Sequence, residues 1–321
     1  MIRKVLYLLS IFLVVAEVLS TLTGIVDLRA LLVSHTFLIL SIVLLDKAVR
    51  KGKGLKVTLS LLALLSAIIL GWYLISLQDI LTRLVMVSPI SSTELSLGLI
   101  VMVLILLGTW ISVGWPMVIL TLFFLSYSIF LGPHMPGLLA SRTIPLPELV
   151  DYLFLGDGGI FGTPIYVSAL YVYLFILFGT FLSKSGGGKV FTDLALVVTG
   201  RTTGGPAKVS VMSSALFGMV SGSAVANVTI DGIFTIPLMK KAGYRGSMAA
   251  AIETVTSTGG QLMPPVMGAA AFLMAHILGM SYWSVALAAA LPAALYYILL
   301  YISVDLEARK YNLGKGIEIP K

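Results

Sequence analysis

The sequence contains no cysteine, and only 11% of its 321 residues are charged. The absence of cysteine excludes disulfide frameworks, thiolate metal sites, iron–sulfur clusters and cysteine nucleophiles. Its three histidines are scattered without metal-ligand spacing, and the sequence offers neither a paired-carboxylate site nor a serine beside a plausible base. We therefore expect that the protein is not an enzyme and needs no organic cofactor.

Apolar residues take the place of the missing charge. They make up 58% of the chain, whereas soluble domains contain about 45 to 50%. The net charge is +7, but the basic residues form short clusters between long apolar runs and do not line a face that could follow a phosphate backbone. We expect a lipid membrane around the protein and no nucleic-acid partner.

Seven apolar runs approach the length of about 20 residues that a membrane-spanning helix needs. The first lacks a small-residue cleavage site, which favours a retained span over a signal peptide. The predicted spans are residues 5–22, 30–45, 57–77, 95–113, 115–131, 163–183 and 283–304.

The distribution of Lys and Arg predicts the orientation of these spans. Eighteen of the 21 basic residues fall on one side, and three, Arg29, Arg83 and Arg142, fall on the other. Cytoplasmic loops are enriched in Lys and Arg. We therefore predict a multi-pass protein of the cell (inner) membrane with both termini in the cytoplasm.

The segment between Lys208 and Lys240 does not fit a simple span. It is apolar and long enough to cross once, but both of its flanks are basic. Its centre, residues 221–227, consists of small, hydroxylated and amide residues with the sequence SGSAVAN. We predict a re-entrant hairpin with half-helices at 209–220 and 228–239, whose tip is buried in protein or faces a water-filled site.

A second interruption follows at residues 254–265, within a helical pattern. The glycine pair 259–260 and the proline pair 264–265 both disfavour helix. We predict a discontinuous span here, whose free carbonyls and half-helix ends could meet cations or anionic substrates. A short helix at 190–198 is expected along the cytoplasmic surface.

Several ionisable residues fall at predicted membrane depth. Asp231, Glu253 and His276 are candidate functional groups, although both acids could instead be hydrated near the headgroups. His35 is expected to be an interior hydrogen-bonding histidine, and Glu17 could anchor a subunit contact. Taken alone, the serines near residue 221 could equally form a packing seam between helices, but the basic flanks on the same side favour a site.

At these segments the sequence resembles a known family. Residues 95–310 are similar to the large membrane subunit of tripartite ATP-independent periplasmic (TRAP) transporters, in particular to DctM-like fused permeases that join the small and large membrane subunits. The similarity is carried by five ordered motifs: PLPEL at 145–149, GRTTGGPAK at 200–208, SALFGMVSGSAVAN at 214–227, IPLMKKAGY at 236–244 and STGGQLMPPVMGAAA at 257–271.

The resemblance implies an all-α, multi-span membrane bundle with one re-entrant hairpin and one discontinuous helix, the first half of an inverted-repeat, elevator-type transporter. Residues 1–90 would correspond to the small (DctQ-like) subunit and 91–321 to the first half of the large one. The implied activity is sodium-coupled uptake of an organic acid, a carboxylate, delivered by an extracytoplasmic solute-binding protein.

The resemblance also implies the site residues. The hypothesised sodium ligands, with Na⁺ as coupling ion, are Ser221, Gly222, Ser223, Thr256, Ser257, Thr258 and Gly259. The hypothesised substrate-binding residues are Asn227, Ser223, Gly260, Pro264 and Pro265.

Two departures from the family pattern bear on these expectations. Val266 stands where many dicarboxylate-type members have serine, and Asn227 stands where an acidic residue is frequent, which indicates the branch associated with TAXI-like binding proteins. A second hairpin motif is missing from the sequence, so we expect a second chain to supply the C-terminal repeat. The alternative is a non-transporting membrane scaffold, an assembly subunit, or a decayed half-permease.

Overall fold

The structure is a computed structural model, and it describes residues 2–313. The described part of the chain is helical and contains no strand. Its α-helices are α1 (Ile2–Thr23), α2 (Leu28–Val49), α3 (Lys53–Ile75), α4 (Leu77–Thr82), α5 (Ser92–Ser112), α6 (Trp115–Ser126), α7 (Leu146–Val150), α8 (Thr163–Val167), α9 (Tyr173–Lys184), α10 (Gly187–Thr199), α11 (Gly205–Ser221), α12 (Ala224–Lys241), α13 (Gly246–Gly259), α14 (Ala269–Ile277) and α15 (Tyr282–Lys310).

All seven predicted spans are present as long apolar helices. The helices long and apolar enough to cross a membrane are Ile2–Thr23, Leu28–Val49, Lys53–Ile75, Ser92–Ser112, Trp115–His134, Thr163–Lys184 and Tyr282–Lys310. The fifth and sixth contain π-helical turns, at Tyr127–Leu131 and Ser168–Val172. The prediction of an all-α membrane protein is confirmed.

The chain divides into two compact units, Met1–Leu170 and Tyr171–Lys321. In the first unit, α2 and α3 pack closely together, and four buried aromatic rings form the centre of the core. Tyr73 contacts Phe154 and Phe161 edge-on, with ring centroids 5.5 and 5.4 Å apart, and Phe37 lies 6.1 Å from Phe161. The predicted division at residue 90 concerns correspondence with two subunits, and it stays a prediction.

The three basic residues that depart from the charge bias each have a carboxylate partner. Arg29 pairs with Asp157 at 2.9 Å, and Arg83 lies 3.0 Å from Asp151 and 3.2 Å from Glu94. Arg142 lies 3.6 Å from Glu148. Each of these three arginines is therefore paired with an acid, and the orientation of the spans stays a prediction.

Glu17 and His35 form a buried pair inside the first unit. The Nδ1 atom of His35 lies 2.5 Å from a Glu17 carboxylate oxygen, and its Nε2 atom lies 3.1 Å from the Ser168 hydroxyl. His35 is therefore an interior hydrogen-bonding histidine, as predicted. The Glu17 side chain is only 1% exposed, and its Oε2 atom has no hydrogen-bond partner among the described residues. Its role in a subunit contact stays a prediction.

In the second unit, α11 and α12 are two halves of a helical hairpin that meet at Gly222 and Ser223. Gly222 has φ +58°, a left-handed conformation that ends α11 and that glycine adopts without strain. Ser223 begins α12, because its hydroxyl accepts a hydrogen bond from the Ala226 amide at 3.3 Å. The hairpin and its small-residue tip are confirmed, and each arm is longer than predicted. Its re-entry into the membrane stays a prediction.

The predicted break in the following helix is also present. Helix α13 ends at Gly259 and α14 begins at Ala269, with an irregular segment between them that contains a cis peptide bond at Pro264–Pro265. Helix α10 is observed slightly longer than the predicted 190–198, and its position on the membrane surface stays a prediction.

Candidate functional site

The hairpin tip lies at a pocket of about 770 Å³ within the second unit. Helix α9 forms one wall with apolar side chains such as Phe175, and the segment after the helix break forms another, including Gln261 and Gly268. The polar lining comes from serine and threonine hydroxyls, from the Gln261 amide and from backbone groups. Lys184 adds a basic side chain to the lining. The pocket therefore offers hydrogen-bonding groups in a largely apolar cleft, as small-molecule sites do.

Ser221, Gly222 and Ser223 all line this pocket. The Ser221 hydroxyl accepts a hydrogen bond from the Ser223 amide at 3.4 Å. An added Cβ atom at Gly222 would collide with the backbone carbonyl of Met267. The tip therefore packs directly against the backbone of the segment between α13 and α14, and a side chain at Gly222 would not fit.

A second close contact joins the hairpin to the break itself. An added Cβ atom at Gly218 would lie 2.5 Å from the Cα atom of Gly260. The Asn227 amide nitrogen would lie 2.9 Å from an added Cβ atom at Gly260, and it donates to the Ser214 carbonyl at 3.0 Å. These contacts hold the two arms of the hairpin directly against the end of α13.

Below the tip lies a buried polar cluster formed by α11, α12 and α13. Its members are fully buried oxygen-bearing residues: Ser210, Ser213, Ser214, Asn227, Asp231, Thr235, Glu253, Thr256 and Ser257. Burying carboxylates is costly unless hydrogen bonds or counter-charges compensate, so the hydrogen bonding of the two acids determines what this cluster can do.

Glu253 is well supplied with donors. Its carboxylate accepts hydrogen bonds from Ser210 at 2.8 Å, Thr235 at 2.5 Å and Ser257 at 3.1 Å. Asp231 is less well supplied, since the Ser214 hydroxyl reaches its Oδ2 atom at 3.4 Å and its buried Oδ1 atom has no hydrogen-bond partner among the described residues. The two acids therefore differ in how well the protein compensates their charge.

A family model connects this arrangement with known proteins. The model described as "Tripartite ATP-independent periplasmic transporter, DctM component" matches residues 99–319, which is more than half of the chain. The chain belongs to the DctM family of TRAP transporters. The resemblance inferred from the motifs is thereby confirmed, and membership in a transporter family supports the prediction that the protein is not an enzyme.

Curated relatives of this DctM-family chain match it over shorter stretches. The C4-dicarboxylate TRAP transporter large permease protein DctM of Vibrio cholerae is 32% identical over 146 residues, covering 46% of this chain and 32% of the relative. The protein of the same name from Rhodobacter capsulatus is 35% identical over 91 residues, 28% of this chain and 21% of the relative. The isethionate TRAP transporter permease protein DctMQ of Oleidesulfovibrio alaskensis is 33% identical over 91 residues, 28% of this chain and 14% of the relative.

The matched stretches span 14 to 34% of the length of these three and five further curated relatives. Seven apolar spans together with DctM membership make this an integral membrane protein.

Within this DctM-family fold, the predicted sodium ligands separate into two places. The tip residues line the pocket, whereas Thr256 and Ser257 belong to the buried cluster, where Ser257 donates to Glu253. Thr258 is exposed, and its hydroxyl donates to the Thr254 carbonyl at 2.7 Å. Among the described residues, no side-chain hydrogen bond joins the tip serines to residues 256–258.

The predicted substrate-binding residues are also divided. Asn227 is buried beside Gly260, and Ser223 lies at the pocket. Pro264 and Pro265 lie in the irregular segment, where the Pro265 carbonyl accepts a hydrogen bond from the Tyr282 hydroxyl at 2.8 Å. Gly259 packs against the rings of Tyr296 and Tyr297 of α15.

Sequence reasoning missed most hydroxyl members of the buried cluster. Ser210 and Ser214 are four residues apart on α11, as are Asn227 and Asp231 on α12. Residues at this spacing share one helix face. A search for polar i, i+4 pairs within apolar helices would have identified the cluster.

Proposed function

We propose that the chain is part of the permease of a sodium-coupled TRAP transporter that takes up an organic acid. A TAXI-like extracytoplasmic solute-binding protein would deliver the carboxylate, and a second chain would supply the remaining repeat. The permease would lie in the inner membrane with both termini in the cytoplasm. The observation that carries the proposal is that the hairpin tip packs against the irregular segment that follows α13, next to a pocket lined partly by polar groups.

Paired helix ends of this kind suit a coupling site. Discontinuous helices in secondary transporters place free carbonyls and helix termini where cations and anionic substrates bind. Here sodium would be held by hydroxyls and carbonyls of Ser221–Ser223 and Thr256–Gly259. Asn227, Ser223, Gly260, Pro264 and Pro265 would face or support the substrate carboxylate.

Uptake measured over a range of sodium concentrations tests this proposal. The chain would be reconstituted in liposomes with a partner chain that carries a second hairpin motif and with the binding protein. Ser223→Ala and Thr258→Ala each remove one oxygen ligand, so the half-saturating sodium concentration should rise in both. Apparent substrate affinity should fall with it and recover partly at high sodium, because the ion stabilises the substrate-binding state.

Ser303→Ala provides the matched control, because its exposed hydroxyl donates to the Leu299 carbonyl within α15. This variant should keep the wild-type sodium dependence. If the half-saturating sodium concentration were unchanged in both Ser223→Ala and Thr258→Ala, neither side chain would be a sodium ligand. Failure of the complete assembly to take up any organic acid under a sodium gradient would contradict the transport proposal and favour a scaffold.

A further inference from the structure

Two adjoining cavities lie at one end of the packed helices α13 and α15. The first is a polar cavity of about 470 Å³, whose lining includes Arg245, Ser247, Glu307 and Tyr311. The second is a groove of about 330 Å³ between the two helices. Met248 and Glu307 line both cavities, so the polar cavity adjoins the groove. Neither of them shares a lining residue with the pocket at the hairpin tip.

The groove has apolar walls and extends along both helices. Its apolar side chains include Ala251, Ile252, Val255, Leu300 and Val304. Residues 248–255 of α13 and 300–307 of α15 each cover about 10 Å along their helix. The hydroxyls of Thr256 and Ser303 at the groove donate to backbone carbonyls of their own helices. Because α15 is long and apolar enough to cross a membrane, the groove fits a lipid acyl chain.

The polar cavity contains one positive and one negative side chain that do not pair. Neither Arg245 nor Glu307 forms a salt bridge with another described residue. The basic neighbours of Glu307 on α15 have other contacts. The Arg309 Nε atom lies 2.7 Å from Asp305, and the Lys310 Nζ atom lies 5.1 Å from the ring centre of the next residue. The cavity therefore offers a cation and an anion to its occupant.

The position of the polar cavity along the helices suits a lipid headgroup. Helix α15 ends there with Arg309 and Lys310 in its last turn, and α12 ends with Lys240 and Lys241. These basic residues belong to the side that the charge distribution predicts to be cytoplasmic. Tyr311 is 53% exposed, and tyrosine is enriched where membrane meets water.

We propose that the cavity and the groove together bind a phospholipid with a phosphoethanolamine headgroup. The Arg245 guanidinium holds the phosphodiester, which it can contact through two N–H groups. The Glu307 carboxylate accepts hydrogen bonds from the primary ammonium, which has three N–H donors as a lysine ammonium does. An acyl chain fills the groove. A choline headgroup has no N–H to donate, and a glycerol headgroup has no cation for Glu307, so the two charges select ethanolamine.

Lipid selectivity of the purified 321-residue chain tests this inference without any transport measurement. The chain is kept in an uncharged detergent at constant pH and ionic strength. Dioleoyl phosphatidylethanolamine, phosphatidylcholine or phosphatidylglycerol is added at equal mole fractions. A ligand that binds only the folded state raises the unfolding midpoint with concentration. The ethanolamine lipid should raise the midpoint, and the other two should need at least about tenfold higher mole fractions for the same rise, because each lacks the hydrogen bonds to Glu307.

Substitutions of the two charged residues should change this selectivity in different ways. Glu307→Gln removes the ammonium site and should reduce the preference for the ethanolamine lipid over the glycerol lipid by at least about tenfold. Arg245→Gln removes the phosphate contact and should weaken the response to all three lipids. Arg201→Gln and Asp193→Asn are controls, because they change exposed charges of the same unit that do not line the cavity. Both controls should respond as the wild type does.

The headgroup without its chains tests the role of the groove. Glycerophosphoethanolamine should leave the midpoint unchanged at concentrations at which the lipid raises it, because the groove stays empty. An equal rise with glycerophosphoethanolamine would indicate a soluble ligand and overturn the lipid assignment.

Three other results would also overturn the inference. The first is an equal response of the wild type to all three lipids. The second is an ethanolamine preference that persists unchanged in both Glu307→Gln and Arg245→Gln. The third is a midpoint that responds to no lipid but rises when a partner chain with a second hairpin motif is added, because the groove would then be a protein interface. None of these results bears on sodium coupling at the hairpin tip.

Discussion

The contact between Gly218 and Gly260 makes a quantitative prediction about how the hairpin meets the broken helix. Replacing Gly218 by alanine places a methyl carbon 2.5 Å from the Cα atom of Gly260, whereas ordinary contacts begin at 3.4 Å. The obstructing atom is backbone, so no side chain can rotate away, and the helices must separate by roughly 1 Å. Overpacking of this kind costs about 1 to 3 kcal/mol.

Helix propensity acts in the opposite direction and needs a control. Alanine is favoured over glycine by about 1 kcal/mol inside a helix. Gly179 lies within α9 of the same unit, and an added Cβ atom there would meet its nearest neighbour, the Ser221 Cα atom, at an ordinary 3.6 Å. Gly179→Ala should therefore stabilise the unit by about 1 kcal/mol, and Gly218→Ala should be less stable than Gly179→Ala by the overpacking cost.

The assay is thermal unfolding of the two variants in the same detergent. A difference of 1 kcal/mol corresponds to about 2 to 4 °C in a unit of this size. We expect Gly218→Ala to unfold several degrees below Gly179→Ala. Equal midpoints would refute the close contact between the hairpin and the end of α13, and with it the argument that places the tip at the helix break.

Two other predictions concern residues outside the candidate site. Burial and, to a smaller extent, the charge of Asp305 raise the pKa of Tyr244 to about 12. The folded state therefore favours the neutral phenol, and the stability that this preference provides should be lost as pH rises from about 10 towards 12. Tyr244→Phe should remove that pH dependence and change the free energy of unfolding little at neutral pH, since the buried hydroxyl has no hydrogen-bond partner among the described residues. If the stability of the variant and of the wild type depended on pH in the same way, Tyr244 would not be the titrating group. Arg29→Met removes buried hydrogen bonds to the Leu155 and Gly156 carbonyls and should destabilise the first unit by at least about 2 kcal/mol, whereas Arg50→Met, at an exposed i, i+4 pair, should cost under about 1 kcal/mol. Similar unfolding midpoints for these two arginine variants would contradict the structural role of Arg29.

The spans and the hairpin were predictable because local sequence encodes them. An apolar run of about 20 residues can satisfy its backbone only as a helix in a bilayer, so hydropathy alone located all seven spans. Gly222 and the residues around Gly259 interrupt helices through their own backbone preferences. Such interruptions need no knowledge of tertiary contacts.

The buried cluster was less predictable because it depends on which surfaces of α11, α12 and α13 pack against one another. Ser210 meets Glu253 across 43 residues of sequence, and local periodicity does not identify such partners. Local sequence also does not show how the side chains of the predicted ligands Thr256, Ser257 and Thr258 are oriented. Consecutive residues point about 100° apart, so Ser257 reaches Glu253 while Thr258 faces outward.

The central claim is that α11 and α12 form a re-entrant hairpin whose tip is a coupling site. Membrane topology tests it most directly, because such a hairpin requires both of its ends to lie on the same side of the membrane. Thr202 and Lys241 flank the hairpin at exposed positions, and Leu138 is an exposed control in a loop predicted to lie outside. The cysteine-free sequence allows a single cysteine at each position, probed with a membrane-impermeant maleimide. We predict that Leu138→Cys reacts in intact spheroplasts, whereas Thr202→Cys and Lys241→Cys react only after permeabilisation. Labelling of Thr202→Cys and Lys241→Cys from opposite sides would contradict the re-entrant hairpin.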